Sequence, residues 1–370
     1  MITLASNIER TPRVMQIEGM FDIDAADKSV TTIPLNIPDL NERDWNVGLI
    51  VGPSGAGKTT VANKLFQQQM VAAETLQWSK TKSLVDDFPK TMSIQDVTTL
   101  LSSVGFSSPP SWLRPFHTLS NGEQFRVSMA RLLAEQTDLA VVDEFTSVVD
   151  RTVAQVGAYA VAKTVRKRNQ KLVAVTCHFD VEEWLQPDWI YEPATGSFRW
   201  ESVRQRPKVE LTFCRTTTKA WTQFSRHHYL DHTIANSAAT VVGLINGRPA
   251  VLIATMPFPH GQIKNLWKIS RIVVLPDYQG LGLGNITLDY VGAAYKAMGK
   301  ELNIVTSHPA FIKSLNKGDT WKMTRKPSRI KKATNVSVSR ISSKASSGNR
   351  LTSTFRYVGP ADNTLVGLYR

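Results

Sequence analysis

The apolar residues in the first half of the chain fall into short continuous runs. Three such runs lie at 47–51, 139–142 and 172–176, and each ends in glycine, acidic or other polar residues. Short apolar runs bounded in this way are typical of buried strands. Helix-compatible stretches run from Lys58 to Met70 and from about Ser120 to Glu135. We therefore predict an α/β domain in which buried strands alternate with helices.

The second half predicts a different arrangement. Two β-rich runs, Ala239 to Leu244 and Ala250 to Thr255, are joined by an Asn-Gly pair that favours a tight hairpin. Further strands are predicted at 270–275, 303–306 and 354–358, with a helix through Ala294. The basic, proline-containing segment 202–208 is predicted to be a linker. We predict domains at 1–204 and 205–370, the second of α+β class.

Composition agrees with a folded protein of two domains. The chain has 370 residues, of which 42% are apolar and 20% charged. No run reaches the roughly 20 apolar residues that a membrane helix needs, and the N-terminus lacks the pattern of a secretory signal. The two cysteines, Cys177 and Cys214, have no paired spacing. We expect a cytoplasmic protein with reduced thiols and no membrane contact.

The positive charge is concentrated at the C-terminal end. The net charge is +13, and the stretch from Trp321 to Arg370 holds eleven Lys/Arg against the single acid Asp362. A basic segment at about 322–350 fits a polyanion such as nucleic acid. Because the same segment is rich in serine and threonine, a solvated disordered loop is the alternative.

A glycine-rich loop follows the first apolar run and precedes a helix, which is the context of a phosphate-binding loop. Its backbone N–H groups and the helix N-terminus would hold phosphate oxygens. Lys58 would pair with the β- and γ-phosphates of ATP, and Thr59 would contribute to a Mg²⁺ site. The predicted nucleotide-binding residues are Gly52, Pro53, Ser54, Gly55, Ala56, Gly57, Lys58, Thr59 and Thr60.

Two acidic residues close the second apolar run. Asp143 is predicted as a metal ligand, and Glu144 as the general base that activates water for attack on the γ-phosphate. His178 follows the third run, 34 residues after Glu144. A solvated strand end is the ordinary alternative for such acids. The order of the motifs favours the catalytic interpretation, with Glu144 and His178 as catalytic residues.

The stretch Leu-Ser-Asn-Gly-Glu completes a resemblance to ABC-type ATPases. Ser120, Asn121, Gly122 and Glu123 match the signature motif of that family, and Ser147 to Asp150 resembles its D-loop. The resemblance implies that these residues contact an ATP held by a second copy of the domain, so we expect a homodimer. Read alone, Ser120 and Glu123 are an ordinary helix capping box.

The chain departs from the usual ABC pattern in three ways. Only 62 residues separate Lys58 from Ser120. No glutamine stands where the Q-loop is expected, and the adenine-stacking aromatic is either Phe21 or Trp45. The resemblance therefore implies a soluble ATPase without a transport function, and the ATPase subunit of a transporter is the disfavoured alternative.

A second glycine-rich turn lies between the predicted strand at 270–275 and the helix that follows. It resembles the coenzyme A pyrophosphate loop of GNAT acyltransferases, which implies acetyl-CoA or another acyl-CoA as cofactor. The matching residues are Gln279, Gly280, Leu281, Gly282, Leu283 and Gly284. A dinucleotide fold is excluded because Asn285 replaces its last glycine, and a plain glycine turn before a core helix is the other alternative.

The catalytic residues of the second domain are predicted from two segments. His228 and Tyr229, then Ser307 and His308, could relay the protons of an acyl transfer; a packed helix surface is the alternative for the first pair. The same segments resemble Mom-type GNAT proteins that modify adenine in phage DNA. We expect an ATP-dependent acyltransferase acting on an amine of nucleic acid; an ATP-switched nucleic-acid-binding protein with an inactive GNAT-like module is the alternative.

Overall fold

A computed structural model describes residues 1–24, 28–67, 69–72, 75–201, 210–228, 232–329 and 351–369. Contacts divide the chain into two compact units. The first unit comprises Met1–Leu76, Leu132–Val148 and Ala162–Arg206, and the second comprises Gln77–Arg131, Val149–Val161 and Pro207–Arg370. The predicted linker and the predicted boundary at 204/205 lie outside the described residues, so that boundary stays a prediction.

The helices and strands of the described residues are, in chain order, β1 (Ile2–Asn7), α1 (Pro12–Phe21), β2 (Lys28–Ile33), β3 (Val47–Val51), α2 (Lys58–Phe66), β4 (Met70–Ala72), α3 (Ile94–Ser103), α4 (Pro109–Trp112), α5 (Asn121–Glu135), β5 (Leu139–Asp143), α6 (Arg151–Arg168), β6 (Lys171–Thr176), α7 (Val181–Leu185), β7 (Trp189–Glu192), β8 (Ser197–Trp200), β9 (Leu211–Thr216), α8 (Trp221–Phe224), β10 (Ala239–Ile245), β11 (Arg248–Pro257), β12 (Leu266–Val274), α9 (Leu283–Ala297), β13 (Glu301–Thr306), α10 (Pro309–Lys317), β14 (Trp321–Arg329) and β15 (Leu351–Tyr357). None of these helices combines the length and apolar content needed to cross a bilayer.

The first unit is built around a six-stranded sheet of order β4-β5-β6-β3-β7-β8. Its first five strands are parallel, and β8 closes the edge as an antiparallel hairpin with β7. All five residues of β3 are buried, as expected for a parallel strand covered on both faces. The three predicted strands are confirmed. The helix after the loop ends at Phe66 because Met70 already begins β4.

The second unit contains a seven-stranded sheet of order β14-β15-β13-β12-β11-β10-β9. Only β12 and β13 run parallel, and their pairing covers Leu266–Ile269 against Glu301–Ile304 before it stops. Beyond this stretch, Arg271–Val274 stay paired with β11, and Ser270 lies at a register shift between the two paired stretches. The two parallel strands therefore separate toward their carboxyl ends, where the loop to α9 begins.

Local predictions for this sheet are confirmed. Asn246 and Gly247 form the hairpin between β10 and β11 with φ of 50° and 74°, as a two-residue turn with two left-handed positions requires. Helix α9 lies on the sheet and buries Leu288, Val291 and Tyr295 in the core. The helical segment 77–131, which contains α3, α4 and most of α5, belongs to this same unit.

Candidate functional site

The loop Gly52–Gly57 connects the buried strand β3 to the first turn of α2. Lys58 is only 8% exposed, and its Nζ donates to the Pro53 carbonyl across the loop at 2.9 Å. Pro53 and Ser54 are exposed, so the loop presents its backbone to solvent. Backbone N–H groups at a helix N-terminus, with a lysine held beside them, form an anion-binding site.

Thr59 and Asp143 meet although 84 residues separate them in sequence. The Thr59 hydroxyl donates to Asp143 Oδ2 at 2.8 Å. The contact arises because β3 and β5 both flank β6, so their carboxyl ends lie at one edge of the sheet. A hydroxyl and a carboxylate are hard oxygen donors of the kind that Mg²⁺ uses when it keeps several of its waters. The residues present therefore fit the predicted metal.

The turn after β5 has a strained backbone. Glu144 has φ of 51° and donates its backbone N–H to Asp143 Oδ1, and Thr146 has φ of 68°. A left-handed conformation is a true outlier for a β-branched residue, with a cost of about 1–2 kcal/mol. The Thr146 hydroxyl is also buried, without a hydrogen-bond partner among the described residues. Strain of this kind clusters at functional sites, and it could not be predicted from the residue types in this turn.

His178 follows β6, and its backbone N–H donates to the Thr176 hydroxyl at 3.2 Å. Strand β6 lies between β3 and β5. The structure therefore brings Lys58, Asp143, Glu144 and His178 to the carboxyl edge of three adjacent strands. This edge is where ligands bind in parallel sheets.

The predicted signature residues, which belong to the second unit, form a helix cap. The Ser120 backbone N–H donates to Glu123 Oε2 at 3.0 Å, and the Glu123 N–H donates back to the Ser120 hydroxyl at 3.4 Å. Asp150 plays the same part for α6, where its Oδ1 accepts from the N–H groups of Thr152 and Val153. The capping role is therefore present, and the predicted nucleotide contacts of these residues stay a prediction.

The predicted coenzyme A loop has two halves with different surroundings. Toward β12, Gln279 Oε1 accepts from the Ser107 N–H at 2.7 Å, while its Nε2 donates to the Val274 carbonyl at 3.1 Å. Toward α9, Gly282 is the N-terminal cap of a 15-residue helix, and no atom lies within 4 Å of the place that a Cβ would occupy. The open half is the part that offers an anion-binding helix N-terminus.

Arg126 contacts the loop and was not predicted from the sequence. The guanidinium is fully buried and donates to the Pro276 carbonyl at 2.6 Å and the Asp277 carbonyl at 2.9 Å. Burial lowers its pKa to about 10, and nearby Asp277 and Glu123 oppose that shift. The sequence signal is limited to a charged residue that stands between the apolar residues Phe125 and Val127 of α5.

The predicted catalytic residues of the second unit are distributed over several contacts. His228 is 8% exposed and packs edge-on against Trp221. His308 lies beside Trp112, with Nε2 3.2 Å from the Ser107 carbonyl, and burial lowers its pKa against the opposing effect of that contact. Tyr229 lies outside the described residues. Ser307, next to His308, is half-buried after β13.

The two candidates for adenine stacking are placed differently. Trp45 is 6% exposed and lies at the amino end of β3, where it packs edge-on against Trp189. Its ring is therefore committed to the core, away from the carboxyl edge of the sheet. Phe21 is 67% exposed at the end of α1.

Comparisons with known proteins point to one class of nucleotide-binding domain. The zinc import ATP-binding protein ZnuC 1 of Aliivibrio fischeri is 29% identical over 147 residues, which cover 35% of this chain and 57% of that protein. The aliphatic sulfonates import ATP-binding protein SsuB 2 of Frankia alni is 27% identical over 166 residues, which cover 40% of this chain and 65% of that protein. The chain thus spans less than two thirds of the length of these relatives.

Two other comparisons add little. No protein-family model matches the chain. Among solved structures, cbiO1 from Clostridium perfringens, part of the ABC transporter complex cbiONQ, is 17% identical with a TM-score of 0.35, over 42% of this chain and 75% of that one. The sequence relatives and the ordered motifs agree with each other. Over the matched region, the chain is similar in sequence to ABC-type ATP-binding proteins, and it carries the ordered motifs of a P-loop nucleotide-binding domain.

Proposed function

We propose that the protein binds and hydrolyses ATP as a homodimer and that this switch controls a coenzyme A-dependent acyl transfer to an amine of nucleic acid. The observation that carries the ATPase half is the contact between Thr59 and Asp143, with Lys58, Glu144 and His178 at the same edge of the sheet. The acyltransferase half rests on the sheet topology and on the loop before α9.

Each residue of the nucleotide site has a separate task in hydrolysis. The loop N–H groups and Lys58 hold the β- and γ-phosphates, and Glu144 takes a proton from the water that attacks the γ-phosphorus. The bond from phosphorus to the β–γ bridging oxygen breaks, and ADP leaves with that electron pair. His178 steadies the γ-phosphate oxygens. Mg²⁺ held by Thr59 and Asp143 would neutralise charge on the phosphate oxygens.

The dimer would be completed by the signature residues of the partner copy. The N–H groups and hydroxyl at the start of α5, at Ser120–Gly122, are suited to γ-phosphate oxygens because α5 is 15 residues long and its N-terminus carries partial positive charge. This part of the proposal depends on the likeness to ABC ATPases.

The ATPase half is tested by holding ATP in the site. We expect Glu144→Gln with ATP and Mg²⁺ to elute from a sizing column as a dimer and to hydrolyse ATP about 10²–10⁴-fold more slowly. Lys58→Ala should bind no ATP and stay monomeric. A Glu144→Gln protein that binds ATP but remains monomeric at saturation would contradict the dimer.

The acyltransferase proposal is supported by three features of the second unit. The parallel strands β12 and β13 separate toward their carboxyl ends, the loop at Gln279–Gly284 follows directly, and α9 has an open N-terminus at Gly282. The arrangement resembles a GNAT domain. The backbone N–H groups at this N-terminus would hold the coenzyme A pyrophosphate.

In the proposed transfer, the amine nitrogen attacks the thioester carbonyl carbon and the carbon–sulfur bond breaks. The nitrogen loses one proton and the coenzyme A thiolate gains one, so no further reactant is needed. His308 lies beside the loop, because it shares Ser107 with Gln279. We expect His308, with Ser307, to relay these protons.

Nucleic acid is proposed as the acceptor because of the basic C-terminal segment and the Mom-like sequence segments. Lys322 and Lys326 are exposed on β14, and residues 330–350 lie outside the described residues. The test incubates the protein with DNA and acetyl-CoA, with and without ATP, and measures the mass of the released nucleosides. An acetylated nucleoside that depends on ATP would support the proposal; failure to bind coenzyme A would exclude the acyltransferase.

A second candidate is an ATP-switched nucleic-acid-binding protein without acyl transfer. The observation that favours it is the burial of His228 against Trp221, which suits a core residue better than a proton relay. DNA binding that depends on ATP and survives both His228→Ala and Gly282→Asp would favour this candidate. Loss of nucleoside acetylation in the same variants would favour the enzyme.

A transporter subunit is the third interpretation, suggested only by the names of the sequence relatives. The helical segment 77–131 lies in one compact unit with residues 207–370. In the expected ABC pattern this segment would serve a membrane partner, and here the chain's own C-terminal part packs on it. Stable copurification with a membrane protein would revive this interpretation.

A further inference from the structure

The loop that leads from β12 to the predicted coenzyme A site is attached to the helical segment. We call Pro276–Gly280 the docking loop. Two of its carbonyls, those of Pro276 and Asp277, accept hydrogen bonds from the buried Arg126 guanidinium on α5. Hydrogen bonds from a charged donor in a buried setting are stronger than neutral ones, so this attachment is firm.

The backbone of the docking loop also approaches the backbone of the helical segment closely, without side chains between them. A Cβ placed on Gly105, which follows α3, would lie 2.4 Å from the Gln279 carbonyl oxygen. A Cβ placed on Gly280 would lie 2.8 Å from the Ala160 Cβ and 3.1 Å from the Gly105 Cα. Close-packed backbones transmit displacement because neither side has a flexible side chain that could absorb it.

The backbone of Ser107 contacts two residues of the predicted acyltransferase site, Gln279 and His308. Its N–H donates to Gln279 Oε1, and its carbonyl lies 3.2 Å from His308 Nε2. Both Gln279, in the docking loop, and His308, after β13, therefore touch the short stretch between α3 and α4. A shift of that stretch would act on both elements at once.

The elements that hold the docking loop are those that carry the predicted ATP-contacting residues. Helix α5 begins at the signature residues Ser120–Glu123 and contains Arg126 one turn later. Helix α6 is capped by Asp150, and its residues Val156 and Ala160 pack against the loop and its surroundings. An ATP contacted at the start of α5 thus acts on a helix that holds the docking loop directly.

From this geometry we infer that Arg126 is a positioning residue that couples ATP at the dimer interface to coenzyme A binding through the docking loop. The inference rests on the proposed function, since it needs both the ATP site and the coenzyme A site. Because energetic coupling between two ligands is reciprocal, ATP and coenzyme A should change each other's affinity by the same factor. Couplings of this type are about fivefold to 150-fold.

The experiment measures coenzyme A affinity by calorimetry, with and without a non-hydrolysable ATP analogue and Mg²⁺. In the wild-type protein we expect the dissociation constant of coenzyme A to change by at least about fivefold when the analogue is present. The affinity of the analogue, measured with saturating coenzyme A, should change by the same factor. Hydrogen exchange of the loop amides at 276–284 should change on addition of the analogue alone, a readout that needs no variant.

Two conservative variants on the same helix locate the coupling. Arg126→Lys keeps the charge but loses the forked pair of hydrogen bonds, and we expect it to reduce the factor to below about twofold. Arg131→Lys is the matched control, because Arg131 lies on the same helix, donates to the Gln77 carbonyl and lies over the Trp78 ring. It should keep the wild-type factor.

The outcomes separate the inference from the function beneath it. Coenzyme A binding that is unaffected by the analogue would overturn the coupling and leave the acyltransferase standing. Undetectable coenzyme A binding in the wild type would overturn both. If the ATP analogue changes coenzyme A affinity by the same factor in Arg126→Lys as in the wild type, Arg126 does not couple the two sites. If Arg126→Lys does not fold, the reciprocal affinities and the exchange measurement on the wild type still decide whether coupling exists.

Discussion

Replacing Gly280 by alanine tests the close approach between the docking loop and the helical segment. Gly280 has φ of 100°, a conformation that costs an L-residue about 1–2 kcal/mol. The new methyl would also lie 2.8 Å from the Ala160 Cβ and 3.1 Å from the Gly105 Cα, both of them rigid neighbours. Overpacking of this kind costs about 1–3 kcal/mol. We therefore expect a total loss of about 2–5 kcal/mol in the free energy of unfolding.

Gly282→Ala is the matched control for this measurement. Gly282 has φ of 82°, so alanine meets a similar backbone cost, but no atom lies within 4 Å of the added methyl. We expect a loss of about 1–2 kcal/mol from backbone strain alone. The difference between the two variants, about 1–3 kcal/mol, measures the packing of the loop against Ala160 and Gly105.

The assay is urea unfolding followed by tryptophan fluorescence, with buried Trp112, Trp221 and Trp321 reporting on the second unit. Stability differences are compared from the shifts in midpoint at a common slope. Equal destabilisation by Gly280→Ala and Gly282→Ala would refute the close approach, and with it the physical basis of the coupling. An additional fall in coenzyme A affinity is expected for Gly282→Ala, because it lies in the open half of the predicted pyrophosphate loop.

Three further predictions concern other residues. Asp143→Asn should raise the Mg²⁺ concentration that ATP hydrolysis requires, because a neutral amide binds the cation more weakly than a carboxylate. The hydrolysis rate measured over a series of Mg²⁺ concentrations checks this. An unchanged Mg²⁺ requirement would show that Asp143 is not part of the metal site. Thr146→Gly should leave the free energy of unfolding unchanged or raise it by up to about 2 kcal/mol, because it removes the backbone strain of a left-handed threonine. Thr164→Gly, inside α6, is the control and should lower the free energy of unfolding by about 1 kcal/mol or more. His308→Gln should weaken the pH dependence of the stability of the second unit. Burial lowers the pKa of His308 in the folded state, so the unfolded state binds the proton more readily. Stability is fully present above the ordinary histidine pKa of about 6.5 and falls as the pH drops through the lowered folded value. Urea midpoints between pH 7 and 5 measure this, and an identical pH dependence in wild type and variant would contradict it.

Local structure followed closely from the sequence. The runs at 47–51, 139–142 and 172–176 became strands because continuous apolar residues suit a sheet covered on both faces. The Asn246–Gly247 turn and the cap at Ser120 were equally readable, since each depends on a few neighbouring residues. The residues at the carboxyl edge of the first sheet could be grouped in advance because ABC motifs occur in a fixed order.

The long-range contacts could not be read in this way. Arg126 reaches carbonyls 150 residues further along the chain, and a carbonyl acceptor leaves no mark on the identity of its residue. Gly280 was predicted only as part of the coenzyme A loop and Gly105 was not singled out, although each is needed where two backbones come close. The left-handed Thr146 has no sequence signal, because threonine is a poor choice for that conformation on local grounds.

The second unit is formed by separate stretches of the chain, and this affects where the chain can be cut. Its core joins Val156 of α6 to Ile245, Ala250, Tyr278 and Leu283 from the C-terminal sheet and its loop. A fragment that ends near residue 204 would therefore expose Val156 to water. It would also leave the Arg126 guanidinium without its two carbonyl acceptors. Residues 1–204 consequently hold only part of the second unit. Gene fusions, truncations and domain exchanges should keep the discontinuous second unit together instead of cutting the chain once near residue 204.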